Sequence, residues 1–368
     1  MRVLLLSNPD AAHTLQWVRN LTGRGLDVLL MGLQPPSVIR YEAMPNLRVA
    51  SAGVPVWSTK LEGSAGKVLY VPGVVRARQL AKAFKPHLVH AHYLTSYGLV
   101  GALAGRHPLL ISVWGSDIFT NPDRSAFHRM LATFTLARAD RITATSRVMA
   151  ERTRSFTDRP IDVVPFGIDL SRFVAQPVER PFAPGDLVIG TVKTLHEIYG
   201  IRYLIEAFAE LRRRHPGVPL KLLVVGGGPQ ERELEQLCDD LGVRQHTRFT
   251  GAVPSTDTPS YHNMIDIFVA LSNYESFGVA VLEAGACERP VVVSNAGGLP
   301  EIVVDRSTGF IVPQKDSLAA ADAIEHLVFD PELRLRMGRE ARRRIAELYA
   351  LERTVDQMLH VYRAMTCQ

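Results

Sequence analysis

The sequence is poor in several things that would each announce a class of protein. It has three cysteines, Cys238, Cys287 and Cys367, far apart and in no metal-ligand spacing, so it is neither a disulfide scaffold nor a zinc module. Aromatic residues make up 7%. No apolar run approaches the roughly 18 residues that a membrane-spanning helix needs. The opening run Val3–Leu6 is shorter than the apolar region of a secretory signal, and reduced thiols in a cytoplasmic protein are the expectation. Glycine is missing from Ser7–His13, directly after the first apolar run, where a dinucleotide-binding G-x-G-x-x-G would stand. No D-x-D triplet occurs, which removes the usual signature of a metal bridging a diphosphate, and no metal site is expected.

What is present describes a globular chain with ample core. Of 368 residues, 46% are hydrophobic and 21% charged, and the length suggests two domains. The net charge of +5 is unevenly spread: residues 1–170 hold 20 Lys and Arg against 11 Asp and Glu, a balance of +9, leaving −4 for the rest. A basic half joined to an acidic half points to an anionic partner, whether nucleic acid, a membrane surface or a phosphorylated lipid, or to solubility alone. No zinc-finger or RNA-recognition signature accompanies the basic half, so nucleic acid is not expected.

Short Val-, Ile- and Leu-rich runs alternate with helix-period segments along nearly the whole chain, the pattern of parallel sheets covered by helices on both faces. The first half predicts strands at 3–6, 27–31, 88–91, 109–113, 141–144 and 161–164. The second restarts at 187–192 and continues at 221–226, 267–270, 291–293 and 310–312, and the helix-period segments fall near 13–22, 72–84, 95–104, 124–138, 203–214, 230–241, 278–287, 317–329, 331–349 and 351–365. The Pro-rich stretch 173–186 reads as a linker. It divides a first domain, 1–172, from a second, 187–351, and the last helix, 352–368, is expected to pack back on the first. Both are α/β and doubly wound, and two such domains facing across a cleft would bind ligands beyond the carboxyl ends of their strands.

The most specific constellation is Glu275-Ser-Phe-Gly-Val-Ala-Val-Leu-Glu283, followed by the turn Gly297-Gly-Leu-Pro-Glu301. Glu275 ends a loop after a buried strand, and Phe277-Gly278 opens a helix whose free N–H groups suit a diphosphate or a sugar hydroxyl. Glu283 lies inside that apolar helix, where an unpaired carboxylate would be costly and where a carboxylate can accept both hydroxyls of a ribose. The E-x7-E spacing and the GGLPE turn resemble glycosyltransferase family 4, retaining sugar transferases of the GT-B fold. Four further segments carry the resemblance: Leu222-Leu-Val-Val-Gly-Gly-Gly-Pro229, Val163-Val-Pro-Phe-Gly-Ile-Asp169, Leu88-Val-His-Ala-His92 and Trp114-Gly-Ser-Asp117.

The resemblance implies transfer of a hexose-type sugar from a nucleoside diphosphate sugar to an acceptor hydroxyl. The configuration would be retained, no protein nucleophile would be used and no cofactor would take part, a UDP-sugar being favoured over a GDP-sugar. By the same resemblance Glu283 holds the ribose, while Glu275, Ser276, Val279 and the amides of Phe277 and Gly278 contact the sugar and phosphates. Val253 lines the base pocket, and His92 faces the donor sugar and acceptor. His13 and Asp117 fall on the acceptor or phosphate side. The chain departs from the family where a G-R-L-x-x-x-K-G segment is usual: it reads Gly190-Thr-Val-Lys-Thr-Leu-His-Glu-Ile-Tyr-Gly200. Thr194 stands in the Arg place and Tyr199 in the Lys place, leaving Lys193 as the cation for the departing diphosphate.

Pro72–Lys85 places Val74, Ala77, Ala81 and Phe84 on one stripe with Arg76, Arg78, Lys82 and Lys85 elsewhere, a basic amphipathic helix. Such a helix is either a crossover packed on its sheet or a membrane-surface element. The Gly/Ser-rich stretch 52–66 with Trp57 precedes it and reads as a mobile loop, which the family resemblance implies would shape the acceptor site. Together they favour a sugar or lipid-linked acceptor, with peripheral contact to an anionic membrane at the inner face. The alternatives are a non-catalytic nucleotide-sugar-binding subunit and a nucleotide-sugar epimerase, the latter disfavoured by the E-x7-E spacing.

Overall fold

The computed structural model describes residues 1–37, 41, 44–54 and 70–366. The loop centred on Trp57 and the thiol of Cys367 lie outside the described residues. The chain divides into two compact units, Met1–Pro165 with Thr354–Gln368, and Phe166–Arg353, so that the Pro-rich stretch 173–186 falls in the second.

The first unit is a seven-stranded sheet in which every pairing is parallel, in the order β3-β2-β1-β4-β5-β6-β7. Its strands are β1 (Arg2–Leu6), β2 (Asp27–Gly32), β3 (Leu47–Ser51), β4 (Leu88–His92), β5 (Leu109–Val113), β6 (Arg141–Ala144) and β7 (Ile161–Val163). Strands β4 and β5 are buried along their whole length, as expected of parallel strands covered on both faces. The helices are α1 (Ala12–Gly23), α2 (Val71–Phe84), α3 (Leu99–Ala104), α4 (Ser116–Phe119), α5 (Ala126–Ala137) and α6 (Arg147–Arg154), with a π-helical turn, Tyr93–Gly98, between β4 and α3. Helix α2 buries Val74, Ala77, Ala81 and Phe84 against the sheet core and leaves Arg76, Arg78, Lys82 and Lys85 exposed, the packing of a crossover helix.

The second unit repeats the plan with six parallel strands in the order β10-β9-β8-β11-β12-β13. These are β8 (Leu187–Val192), β9 (Leu220–Val225), β10 (Thr247–Phe249), β11 (Ile267–Ala270), β12 (Val291–Ser294) and β13 (Gly309–Val312). The helices are α7 (Ile201–Arg214), α8 (Glu231–Asp240), α9 (Thr258–Met264), α10 (Val279–Ala286), α11 (Leu299–Ile302), α12 (Ser317–Phe329) and α13 (Pro331–Leu348). Phe208, Leu222, Val224, Ile267 and Ile324 are fully buried in its core. Cys238 and Cys287 are buried free thiols, raised to about 11 and about 12 chiefly by burial. The last helix, α14 (Leu351–Thr366), buries Val355, Met358, Leu359, Val361 and Tyr362, and all but its first turn belongs to the first unit.

In each sheet the strand order reverses once, between β1 and β4 in the first unit and between β8 and β11 in the second. The loops leaving neighbouring strands diverge at such a reversal, and open α/β sheets bind ligands in the crevice this leaves at the carboxyl ends. Among the described residues no helix is long and apolar enough to cross a membrane.

Candidate active site

At the reversal of the first sheet, Ser7 directly follows β1 and β4 ends in His92. Ser7 Oγ shares hydrogen bonds with His92 Nδ1 at 2.9 Å and with Thr14 Oγ1 of α1 at 2.7 Å, and all three residues are buried. The His92 ring tilts against Trp114, centroids 4.4 Å apart, and Trp114 in turn meets His13 edge-on at 6.0 Å. Behind His92 stands His90, with ring centroids at 4.4 Å. His90 Nδ1 is 2.7 Å from the Tyr362 hydroxyl of α14, and its Nε2 is 2.7 Å from Ser112 Oγ, which is 2.5 Å from Thr143 Oγ1. Burial pushes the His90 imidazole down to about 3. His92 is held well below the ordinary histidine value by burial first, then by His90 and His13, so both rings are neutral at pH 7.

The backbone just past His92 is unusual. Tyr93 has a left-handed φ of 73°, which costs a residue with a Cβ energy that the surroundings must repay, and the π-helical turn follows at once. Asp117 holds this geometry. It is fully buried, and its carboxylate accepts the Leu94 N–H at 2.8 Å, the Gly115 N–H at 2.7 Å and the Trp114 N–H at 3.2 Å. The sequence placed Asp117 on the acceptor or phosphate side. In the structure its oxygens are occupied by backbone amides, and it ties the turn that follows His92 to the Trp114–Gly115 loop. Burial raises its carboxyl, and the three amides work against that. Asn8 accepts the Asp10 N–H at 3.0 Å, a local turn role.

At the reversal of the second sheet, β8 runs into Lys193 and the loop after β11 carries Ser272 and Glu275. Lys193 Nζ lies 2.6 Å from Glu275 Oε2, with both side chains largely buried, and Ser272 Oγ donates to the same oxygen at 3.5 Å. The ammonium also sits 4.2 Å from the centre of the Tyr199 ring, so the residue in the usual Lys place of the family packs against the lysine this chain does have. Two tight backbone approaches fix the loops around the Lys193–Glu275 pair. A Cβ on Gly297, whose φ is +49°, would lie 1.8 Å from the Glu275 carbonyl oxygen, and one on Gly226, at φ +133°, would lie 2.0 Å from the Lys193 carbonyl oxygen. The Gly298 N–H donates to the Glu275 carbonyl at 3.0 Å, so the GGLPE turn is what clamps the Glu275 loop.

Helix α10 begins after Gly278, in the left-handed region at φ 118°. The Phe277 side chain is buried between the rings of Phe166 and Tyr349, so at that position the backbone rather than the ring is available to a ligand. Ser276 and Val279 flank it, half-buried, as is Val253 after the Gly251 turn. Glu283 sits on α10, partly exposed, and its Oε2 accepts a 3.1 Å hydrogen bond from Nε2 of the buried His262 on α9. The sequence brought Lys193, Glu275 and Glu283 to one unit and His13 and His92 to the other. It missed Ser7, Thr14, His90, Tyr362 and His262. The Tyr362 partner of His90 and the Ser7 partner of His92 lie 272 and 85 residues away, and no local spacing signals such pairings.

Residues 2–146 match the family described as glycosyl transferase 4-like, and residues 175–344 match glycosyl transferases group 1. The chain is 31% identical over 359 residues to a D-inositol 3-phosphate glycosyltransferase of Saccharomonospora viridis, covering 90% of this chain and 82% of that one. It is 35% identical over 215 residues to a GDP-mannose-dependent alpha-(1-6)-phosphatidylinositol monomannoside mannosyltransferase of Mycolicibacterium smegmatis, 54% of this chain and 56% of that one. Among solved structures, the sucrose-phosphate synthase of Thermosynechococcus elongatus superposes with a TM-score of 0.84 at 21% identity over 100% of this chain and 99% of that one. At that identity the likeness speaks to the fold, which is GT-B. Two doubly wound units, an E-x7-E motif at the second reversal, the two family matches and a relative matched over 90% of this chain lead to one conclusion: the chain is a glycosyltransferase and belongs to glycosyltransferase family 4.

Proposed function

We propose that the protein moves a hexose-type sugar from a nucleoside diphosphate sugar to a hydroxyl of a sugar or lipid-linked acceptor, with the anomeric configuration retained, in glycoconjugate biosynthesis. The observation that carries this reading is the second reversal, where Lys193 and Glu275 pair at 2.6 Å beside the helix that bears Glu283. In this reading Glu283 accepts the ribose hydroxyls, the Ser276–Val279 backbone and the start of α10 meet the phosphates, and Glu275 orders the donor sugar. Lys193 balances the charge that grows on the leaving diphosphate, an electrostatic contribution worth several kcal/mol in enzymes of many kinds. The C1–O bond to the diphosphate breaks as the acceptor oxygen bonds C1 on the same face, and the acceptor proton passes to a phosphate oxygen. The neutral His92 offers a hydrogen bond to donor sugar or acceptor without adding charge.

The donor is a UDP-sugar ahead of a GDP-sugar, with GDP-mannose second because a relative carries that dependence in its name. No metal takes part in this reading. The basic face of α2, with Val71 and Val75 exposed beside Arg76 and Arg78, supports peripheral contact with an anionic membrane.

The test is a thermal-shift panel of UDP, GDP, ADP and their common sugars on the wild type and Glu283→Ala. It is followed by release of free nucleotide in the presence of sugar and lipid acceptors, with and without EDTA, and by NMR of the product's anomeric proton. A ligand at about 100 times its Kd stabilises by roughly 2.7 kcal/mol. A shift with one nucleotide that Glu283→Ala abolishes is the expected result, and no shift with any nucleotide removes the donor site. One observation favours a second reading: the only cation at the family's Arg/Lys segment is already neutralised by Glu275. A protein that binds the donor without turnover identifies a non-catalytic nucleotide-sugar-binding subunit.

A further inference from the structure

His262 is an odd residue for its place. It is fully buried, with its ring 6.0 Å from that of Phe173 and 5.3 Å from that of Phe268, a setting that a leucine or phenylalanine would fill without polar atoms. Its Nδ1 is buried and has no hydrogen-bond partner. The only polar return for this arrangement is at the other nitrogen, where Nε2 reaches Glu283 Oε2 at 3.1 Å. That is the only hydrogen bond the Glu283 side chain makes among the described residues, and Glu283 is partly exposed while His262 is not. One carboxylate oxygen is thereby anchored from the core, while the other, Oε1, accepts no hydrogen bond among the described residues.

We infer that His262 is a positioning residue for ribose recognition: through its Nε2–H it fixes the rotation of the Glu283 carboxylate so that a vicinal diol can donate to it with both hydroxyls. A cis-diol needs a carboxylate in one orientation, because its two O–H groups are set by the ring. A carboxylate free to rotate still attracts a nucleotide's sugar but no longer distinguishes two hydroxyls from one. His262 therefore governs discrimination between ribo- and deoxyribonucleotides more than total affinity. The inference rests on the reading of Glu283 as the ribose ligand, and the experiment separates the two.

The measurement is the Kd of UDP, 2′-deoxy-UDP and 3′-deoxy-UDP, with the matching GDP series, on the wild type, Glu283→Ala, His262→Phe, His262→Gln and His262→Asn. The wild type is expected to prefer the ribonucleotide by about tenfold or more, as one hydrogen bond to a charged group allows. Glu283→Ala abolishes that preference. His262→Phe brings the ratio toward one while its melting profile stays cooperative. His262→Gln, whose amide nitrogen takes the place of Nε2, retains the preference, and His262→Asn, whose shorter amide reaches only the place of Nδ1, loses it. If His262→Phe does not fold, the Gln and Asn variants decide. A wild-type ratio in the Phe or Asn variant, or equal behaviour of Gln and Asn, overturns the inference and leaves the Glu283 reading standing. An unchanged ratio in Glu283→Ala, or a wild type that binds neither series, removes the Glu283 reading and the inference with it.

Discussion

The two sheets have the same reversal in strand order, yet they equip it with opposite chemistry. At the first, the groups around His92 are neutral, two imidazoles with depressed proton affinity, the hydroxyls of Ser7 and Thr14 and the Trp114 ring, and the Asp117 carboxylate nearby is taken up by backbone amides. At the second they are ionic: a lysine–glutamate pair and a glutamate held by a buried histidine. The topology supplies a place where loops diverge, and the residues decide what the place is for. Neutral hydrogen-bonding groups and an aromatic face suit sugar hydroxyls. Fixed charges suit a diphosphate, whose own charge changes as it leaves.

The sharpest way to break this contrast is at Lys193. Lys193→Ala is expected to lower kcat by about 10²–10³-fold, the usual scale for loss of one group that stabilises transition-state charge. It also leaves Glu275 buried and unpaired, at a cost of about 3 kcal/mol in stability. The double variant Lys193→Met with Glu275→Gln is expected to regain the stability in chemical denaturation but not the activity. If both return, the pair is structural and the second reversal is not where charge is handled.

A weaker effect is expected in the first unit. His92→Ala should reduce kcat by about 10²-fold, in the range of a positioned imidazole, while leaving the Kd for UDP or GDP within about twofold by titration calorimetry. Equal loss in Kd would end the division of labour between the two reversals. Next is Gly297→Ala, which forces the Glu275 carbonyl aside at a cost of about 1–3 kcal/mol, typical of a backbone held in a rare conformation. Its activity should fall with its melting temperature.

The smallest effect concerns proton uptake and bears on the first unit alone. An unfolded histidine titrates near 6.5, whereas His90 in the fold does so at about 3. The unfolded chain thus binds a proton that the folded chain refuses, so stability is complete above pH 6.5 and declines as pH falls through that window toward 3. The slope is about 1.4 kcal/mol per pH unit for each such histidine. Denaturant unfolding at pH 7.5 and 5.5 should show the decline in the wild type and a shallower one in His90→Gln.

Much of the fold was legible because parallel strands and their crossover helices write long, periodic apolar patterns. The strand Leu187–Val192 and the helix Ser317–Phe329 occupy the bounds that the pattern predicts. The elements without a prediction share a cause. Strand Leu47–Ser51 lies at the sheet edge and is half-exposed, and Thr247–Phe249 has only three residues. Helix Arg147–Arg154 is mostly polar, and Thr258–Met264 is built of poor helix formers with no apolar stripe. The same blindness explains the site. Glu275 and Glu283 are spaced along one helix and its entry loop, so a motif carries them. His262 sits on the helix that the pattern could not see, and its relation to Glu283 exists only after folding. The role of Asp117 was hidden for another reason: a carboxylate that ties backbone amides and one that meets a ligand look alike in a motif.

The hydroxyl of Tyr362 has one more consequence. The residue comes from the tail of the chain yet completes a hydrogen bond inside the first sheet, because the path leaves that unit after Pro165 and rejoins it at Thr354. In terms of gene architecture the second unit is an insert within the first, not an appendage to it. A recombinant half ending at Pro165 would leave His90 Nδ1 facing an empty place in a dry interior. Exchange of the second unit between relatives should therefore be made at two junctions, transplanting 166–353 as a cassette and leaving the native tail behind.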